Sequence, residues 1–260
     1  ESAPVRRILT AAVLRDVFSL RPPESHKGTY GHVGVVGGSV GRTGAVLMAA
    51  DAAMAAGAGL VTIETEHSAL SSVARDAYEV MVSPLLNTSV SVSEMVTSLE
   101  RYQALVVGPG FPVEKEHRER LFQALSQSPK PMVLDADALN HAAGAPERLK
   151  APGPRVLTPH PGEAARLLGV STKAVQNERV KAVKELAHAS GSVVVLKGAH
   201  TLVGTASGQL QICPFGNPGM ATAGMGDVLA GVIGALLARG FGPVDAASAG
   251  VVWHATAGDD

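Results

Sequence analysis

The sequence predicts a three-layer α/β fold, with a mainly parallel central sheet, helices on both faces and a late antiparallel hairpin. Three observations predict it. Short apolar runs alternate with helical patterns of about 10–15 residues, the rhythm of βαβ units. Apolar residues make up 46% of the chain, enough for a core on each face of a sheet. Near the end, residues 201–204 and 209–212 flank Thr205-Ala206-Ser207-Gly208, a hairpin signal that adds antiparallel strands.

The elements follow in order. Residues 1–30 hold one short helical pattern, 10–18, and a turn at Pro22-Pro23. Residues 33–38 form an apolar run expected to be a buried strand. A Gly-rich loop, 39–44, leads into an Ala-dominated helix, 45–57, with Met48 and Met54 as its larger packing residues. Strand 60–64, helix 68–77, a weak strand 80–84 and helix 93–102 come next. Strand 104–107 ends in Gly108-Pro109-Gly110, and a polar-faced helix spans 115–127. Strand 132–135 ends in Asp135-Ala136-Asp137-Ala138-Leu139-Asn140. Strand 155–157 ends in Thr158-Pro159-His160-Pro161-Gly162-Glu163, and a helix begins at 164. Helix 177–189 precedes strand 193–197, a run of β-formers bounded by glycines. After the hairpin, a helix runs to about 238 and a last one spans 243–257.

Composition narrows the function. The 260 residues carry a formal net charge of −1, which argues against a general binder of nucleic acid or anionic membrane. Cys213 is the one cysteine, so no internal disulfide forms, as suits a reducing, cytoplasmic setting. Residues 1–20 mix charges and lack the apolar stretch of a secretory signal. Residues 44–63 carry one charge, Asp51, but are mostly Ala and Gly, too weakly apolar to span a membrane. The first residue is not Met, consistent with a chain processed or cut from a longer polypeptide. With no linker, repeat or low-complexity tract, residues 1–260 are expected to form a single domain.

Several common chemistries are absent. No Gly-Lys dipeptide occurs, which removes a Walker A loop, and no complete Gly-x-Gly-x-x-Gly occurs. Nine scattered histidines and a lone cysteine make a Cys/His zinc site a poor reading. Gly38-Ser39-Val40-Gly41 lacks the spacing of a serine nucleophile elbow.

The distinctive stretch is residues 216–231, where a Gly/Pro-rich loop runs into an apolar helix. Thr222 is the expected N-cap. Ala223, Gly224, Met225 and Gly226 would then offer backbone N–H groups without helical partners, a ready anion site at the positive end of the helix dipole. Gly224 and Gly226 let a bulky anion approach. Asp227 beside that site would repel a phosphate unless it accepts a proton from a hydroxyl attacking the phosphorus. The plain alternative is an Asp that merely favours a helix N-terminus. Five further Gly-, Asp- or Lys-bearing clusters follow apolar runs, where an open sheet collects its ligands, and together they suggest one extended crevice.

Asn217-Pro218-Gly219 with Gly224-Met225-Gly226-Asp227-Val228-Leu229-Ala230-Gly231 resembles the signature of the ribokinase-like superfamily, and the Leu-Ala-Gly ending its NAD(P)H-hydrate dehydratase branch. Lys27-Gly28-x-x-Gly31-His32, Gly37-Gly38-Ser39, Gly44-Ala45, Gly57-Ala58-Gly59-Leu60-Val61, Gly108-Pro109-Gly110, the 135–140 and 158–163 blocks and Lys197-Gly198-x-x-Thr201 are similar to its further blocks, in order. The resemblance spans residues 27–259. It implies a ribokinase-like sandwich and an enzyme that dehydrates NADHX and NADPHX, nicotinamide cofactors hydrated at C6, at the expense of ADP or ATP. It further implies Mg²⁺, a homo-oligomer, and functional pairing with an epimerase domain that this chain lacks. Relatives usually end in a further short helix.

The resemblance also carries residue roles. Asp227 is implied as the catalytic base, and Ala45, Gly110, His160 and Asp227 as contacts to the hydrated cofactor, with Asn140 lining the same crevice. Lys197, Gly198, Ala199, His200 and Thr201, with Gly226, are implied for the adenine nucleotide. Glu163 is the candidate to hold Mg²⁺ through water. Each keeps a bland alternative: turn-forming for Ala45, Gly110, Asp135 and Asp137, a satisfied structural histidine for His160, a surface lysine for Lys197. Asp227 at a helix start is expected to be ionised and a weak base. Two rivals remain, a small-alcohol kinase of the same superfamily and a non-catalytic adenine-nucleotide sensor.

Overall fold

Strands and helices alternate as the apolar pattern requires, in a computed structural model that describes residues 6–86, 90–111 and 115–260. The strands are β1 (Arg6–Ile8), β2 (His32–Val36), β3 (Leu60–Glu66), β4 (Met81–Leu86), β5 (Ala104–Val107), β6 (Met132–Leu134), β7 (Arg155–Leu157), β8 (Val193–Leu196), β9 (Leu202–Gly204) and β10 (Leu210–Ile212). The helices are α1 (Thr43–Ala55), α2 (Leu70–Asp76), α3 (Val92–Leu99), α4 (Lys115–Gln127), α5 (Ala136–Asn140), α6 (Pro161–Leu168), α7 (Thr172–Asn177), α8 (Arg179–Ser190), α9 (Met225–Ala238) and α10 (Pro243–Asp259).

Among the described residues the strands form one sheet, ordered β1-β10-β9-β8-β7-β6-β5-β2-β3-β4. From β8 to β4 every neighbour pair is parallel; β9 is antiparallel to both β8 and β10. This is the predicted mainly parallel sheet with its late hairpin.

The period-2 pattern of the strands divides two cores. Val33, Val35, Val106 and Val195 join Val46, Ile233 and Val252 from α1, α9 and α10 on one face. Leu105, Val107, Leu134 and Leu196 join Leu121, Leu139, Leu167 and Leu186 from α4, α5, α6 and α8 on the other. The free cysteine, Cys213, is buried just after β10, its amide donating to Thr201. Close approach replaces bulk along α9. A Cβ on Gly231 would come 2.1 Å from the Ala49 carbonyl oxygen, and one on Gly234 2.3 Å from the Val106 side chain. The small residues of α1 and α9 thus serve backbone proximity, not membrane insertion. Among the described residues no helix is long and apolar enough to cross a membrane.

The structure corrects several local expectations. The 10–18 pattern yields only a 3₁₀ turn, Ala11–Leu14, although Val13, Leu14 and Val17 still pack against the core. The 177–189 helix starts at Arg179, and a separate α7 capped by Ser171 precedes it; Glu178, at φ −129°, breaks the pair. The helix expected from 164 starts at Pro161, where proline suits the first helical position. Gly37, Gly38 and Asp135 lie beyond their strands. β1 was not anticipated.

Candidate active site

The chain runs β2, β3, β4 toward one edge, then returns with β5 on the other side of β2. Such a reversal opens a crevice beyond the strand ends. Gly37 and Gly38 follow β2, and Gly108, Pro109 and Gly110 follow β5. The Gly38 amide donates to the Pro109 carbonyl at 3.0 Å. Gly108 sits at φ 124°, and a Cβ there would lie 1.8 Å from the Asp135 carbonyl oxygen, so the position requires glycine. Gly110, at φ 58°, presses on the Arg42 carbonyl just before α1, one turn ahead of half-buried Ala45. The tight-turn role thus holds for Gly110, whereas Ala45 lies within α1.

A charge cluster lies at the ends of β6, β7 and β8. Asp135 is 1% exposed and precedes α5, yet its side chain makes no capping bond. Its Oδ1 accepts from Lys197 Nζ at 2.7 Å and from Thr158 Oγ1 at 2.8 Å. Lys197 therefore reaches from the end of β8, past β7, to the end of β6. Glu163 Oε2 is 3.9 Å from the same ammonium. Burial would lower the Lys197 pKa, but Asp135, Glu163 and Asp227 hold it above the usual lysine range. Lys197 is no ordinary surface lysine.

α9 begins later than expected. Gly224 is its N-cap, in the left-handed region at φ 92°, and Met225 its first residue. Thr222 belongs to the preceding loop, and its amide is taken by the Met220 carbonyl. The first helical bond runs from Val228 to Gly224. The donors without a helical partner are therefore those of Gly224, Met225, Gly226 and Asp227, with Asp227 replacing Ala223 in the expected set. Asp227 is not an ordinary carboxylate. Burial, and then Asp135, raise its pKa to about 6, against the pull of Lys197. It is ionised at neutral pH as expected, but is a far better base than a surface aspartate.

Beside this helix start lies a cavity of about 460 Å³, within the range of small-ligand pockets. Lys197, Gly198, Ala199, Thr201 and Gly226 line it together. His200 does not; it is exposed, at φ 54°. The remaining wall includes Phe215, Asn217, Met220 and His254. Asn217 explains its motif. Its Oδ1 caps the 3₁₀ turn Pro218–Met220 by accepting from Gly219 at 2.8 Å, and its Nδ2 donates to Gly258 and to Asp259. Asp259 also accepts from the Gly216 amide at 2.8 Å, so the last turn of α10 clamps this wall.

His160 caps α6. Its Nδ1 accepts from the Gly162 amide at 3.0 Å, while its backbone N–H donates to Glu163 Oε2 at 2.8 Å. Burial, with Lys197 and Arg166, lowers its pKa, so the ring is neutral at pH 7 and its proton sits on Nε2, 3.5 Å from Glu163 Oε1. Burial, followed by Asp135, raises Glu163 to about 7 against the pull of Lys197. Asn140 stands apart from the charge cluster, giving to Asp137 at 3.1 Å and accepting from Arg166 Nε at 2.7 Å. Asp137 in turn pairs with Arg42 at 2.8 Å, tying α5 to the start of α1. Among the described residues no group of three or more His, Cys, Asp or Glu forms a metal cage. Glu163, near the start of α9 through Lys197, is the carboxylate that would hold Mg²⁺ through water.

Sequence reasoning missed Asp135 as the partner of Lys197, because nothing local signals a contact between residues 62 positions apart. It also missed Phe215, Met220 and His254, which carry no motif.

The family model described as NAD(P)H-hydrate dehydratase matches residues 33–260. The ADP-dependent (S)-NAD(P)H-hydrate dehydratase of Neisseria meningitidis is 41% identical, over 98% of this chain and 86% of its own. The bifunctional NAD(P)H-hydrate repair enzyme of Moorella thermoacetica is also 41% identical over 98% of this chain, which spans only 49% of it. This chain thus covers about half the length of several relatives. A crystal structure of the ADP/ATP-dependent NAD(P)H-hydrate dehydratase of Bacillus subtilis, co-crystallised with ATP/Mg²⁺, superposes with a TM-score of 0.80 at 30% identity, covering 96% of this chain and 87% of that one.

Proposed function

The chain belongs to the NAD(P)H-hydrate dehydratase family, and from that premise we propose that it restores NADH and NADPH from their S-form C6 hydrates with hydrolysis of ADP, or of ATP. The observation that carries the reading is the position of Asp227. It stands in the first turn of α9, next to Gly226 on the cavity wall, and burial raises it to about 6.

The cavity takes the adenosine, and the N–H groups at the start of α9 take the terminal phosphate. The hydrated cofactor enters the crevice past Ala45 and Gly110, where its C6 hydroxyl meets Asp227. Asp227 accepts the hydroxyl proton as the oxygen attacks the terminal phosphorus, and the bond to AMP (or to ADP, when ATP is used) breaks. The α9 amides hold the charge of the phosphoryl in transit. Phosphate then leaves C6 with the C–O bonding pair as the ring nitrogen electron pair forms a C6 iminium, and loss of a proton from C5 to solvent re-forms the dihydronicotinamide. Water is a poor leaving group and phosphate a good one, hence the nucleotide. Glu163 is the residue that would hold Mg²⁺, through water, and the ion would supply charge neutralisation on the phosphates.

The test is absorbance in the dihydronicotinamide band with NADH hydrate, Mg²⁺ and ADP or ATP. The expected result is a nucleotide-dependent rise with phosphate released in step. A folded, nucleotide-binding protein giving no rise would overturn the reading in favour of a small-alcohol kinase.

A further inference from the structure

We propose that Lys197 is the cation that contacts the transferring phosphoryl group, not an adenosine-binding residue, and that buried Asp135 is the positioning residue that aims it. This deepens the functional reading and rests on its nucleotide half. The argument is geometric. Lys197 shares the cavity wall with Gly198, Ala199 and Thr201, but its ammonium is drawn to Asp135 at the end of β6. Its Nζ lies 2.7 Å from Asp135 Oδ1 and 3.0 Å from where a Cβ on Gly226 would stand. That point is the open first turn of α9. An ammonium there adds a full positive charge to the partial charges of the unpaired amides. A side chain on Gly226 would occupy the same space, so the lysine and the glycine serve one bound group.

The lysine cannot find this place unaided. A long flexible stem has many rotamers, and a buried ammonium tends to lose its proton. Asp135 solves both problems. It is 1% exposed, it lies at the end of a different strand, and Thr158 holds the same Oδ1 that holds Lys197. An ammonium has three donors. Asp135 takes one, and the Glu163 oxygen at 3.9 Å is too far for a full hydrogen bond. Donors thus remain for phosphoryl oxygens.

The experiment compares adenosine, AMP and ADP binding, by calorimetry, to the wild type and to Lys197→Met, Lys197→Arg and Asp135→Asn. The expected result is that Lys197→Met weakens ADP roughly 10–100-fold while changing adenosine and AMP less than about threefold. With NADH hydrate, kcat at saturating ADP falls about 10²–10³-fold for Lys197→Met. Asp135→Asn gives a smaller loss in kcat, with the ADP-over-AMP preference reduced. Lys197→Arg recovers part of the preference, which keeps the test open if the Met variant does not fold. An equal loss for all three ligands, or a raised nucleotide KM with unchanged kcat, would overturn the proposal and return Lys197 to the adenosine site. A wild type that binds none of the three ligands would defeat the functional reading itself.

Discussion

At the residue scale, the proposed base Asp227 should set the pH dependence. A base must be ionised to accept the substrate proton, so turnover falls as pH drops through its pKa. An ordinary aspartate would place that limb near 4; with Asp227 at about 6, kcat/KM loses roughly tenfold per pH unit below about pH 6. Initial rates across pH at subsaturating NADH hydrate check this, and a limb at 4 would refute it. Asp227→Asn should lower kcat by at least about 10³-fold while ADP affinity stays within about threefold, measured by the absorbance assay and by calorimetry. The identity of Asp227 was legible because a Gly-x-Gly-Asp loop before an apolar helix is a local pattern. Its proton affinity was not, since burial and Asp135, remote in sequence, create it.

At the element scale, α1 and α9 act as one body. Gly224 lies against Met48, and Gly231 against Ala49 and Ala52, so the contacts advance in the same direction along both helices. Ala45 and Asp227, the residues proposed to meet the hydrated cofactor, thus share a rigid support. Gly231→Val places its Cβ on a backbone oxygen that cannot swing aside. It should cost about 3 kcal/mol, seen as a Tm lower by roughly 5–10 °C, with activity lost in step with folding. The Asn217–Asp259 clamp makes the opposite forecast. Asp259→Ala frees the 216–220 wall and should raise the nucleotide KM several-fold with kcat largely kept, as steady-state kinetics will record. Long elements such as α4 and α9 were readable because an apolar period fixes them. β1 was not, because all three residues are exposed and only pairing with β10 makes them a strand.

At the scale of the whole molecule, the site is paid for in stability. Glu163 at about 7 and Asp227 at about 6 both lie above their unfolded values of 4.5 and 3.8. Between those limits the folded state holds more protons than the unfolded one, so stability falls as pH rises through the window. The two groups together contribute on the order of a few kcal/mol of this loss. Between about pH 5.5 and pH 7.5 the ligand-free wild type should therefore lose more melting temperature than Glu163→Gln with Asp227→Asn in calorimetric scans, since the lowered histidines His32, His160 and His254 act in the opposite sense in both proteins. The three-layer class followed from periodicity alone. The strand order did not, because hydrophobic pattern says which face a residue takes and not which neighbour a strand chooses. The reversal between β2 and β5, which places the crevice, is a property of the assembled sheet.

The clamp at Asp259 also bears on how the protein comes into being. The sheet, the core lined by α4, α5, α6 and α8, and the start of α9 are encoded upstream of residue 239, whereas the wall at 216–220 is tied down by residues 258 and 259. A chain emerging from the ribosome can order that half of the scaffold before α10 arrives to fix the 216–220 wall.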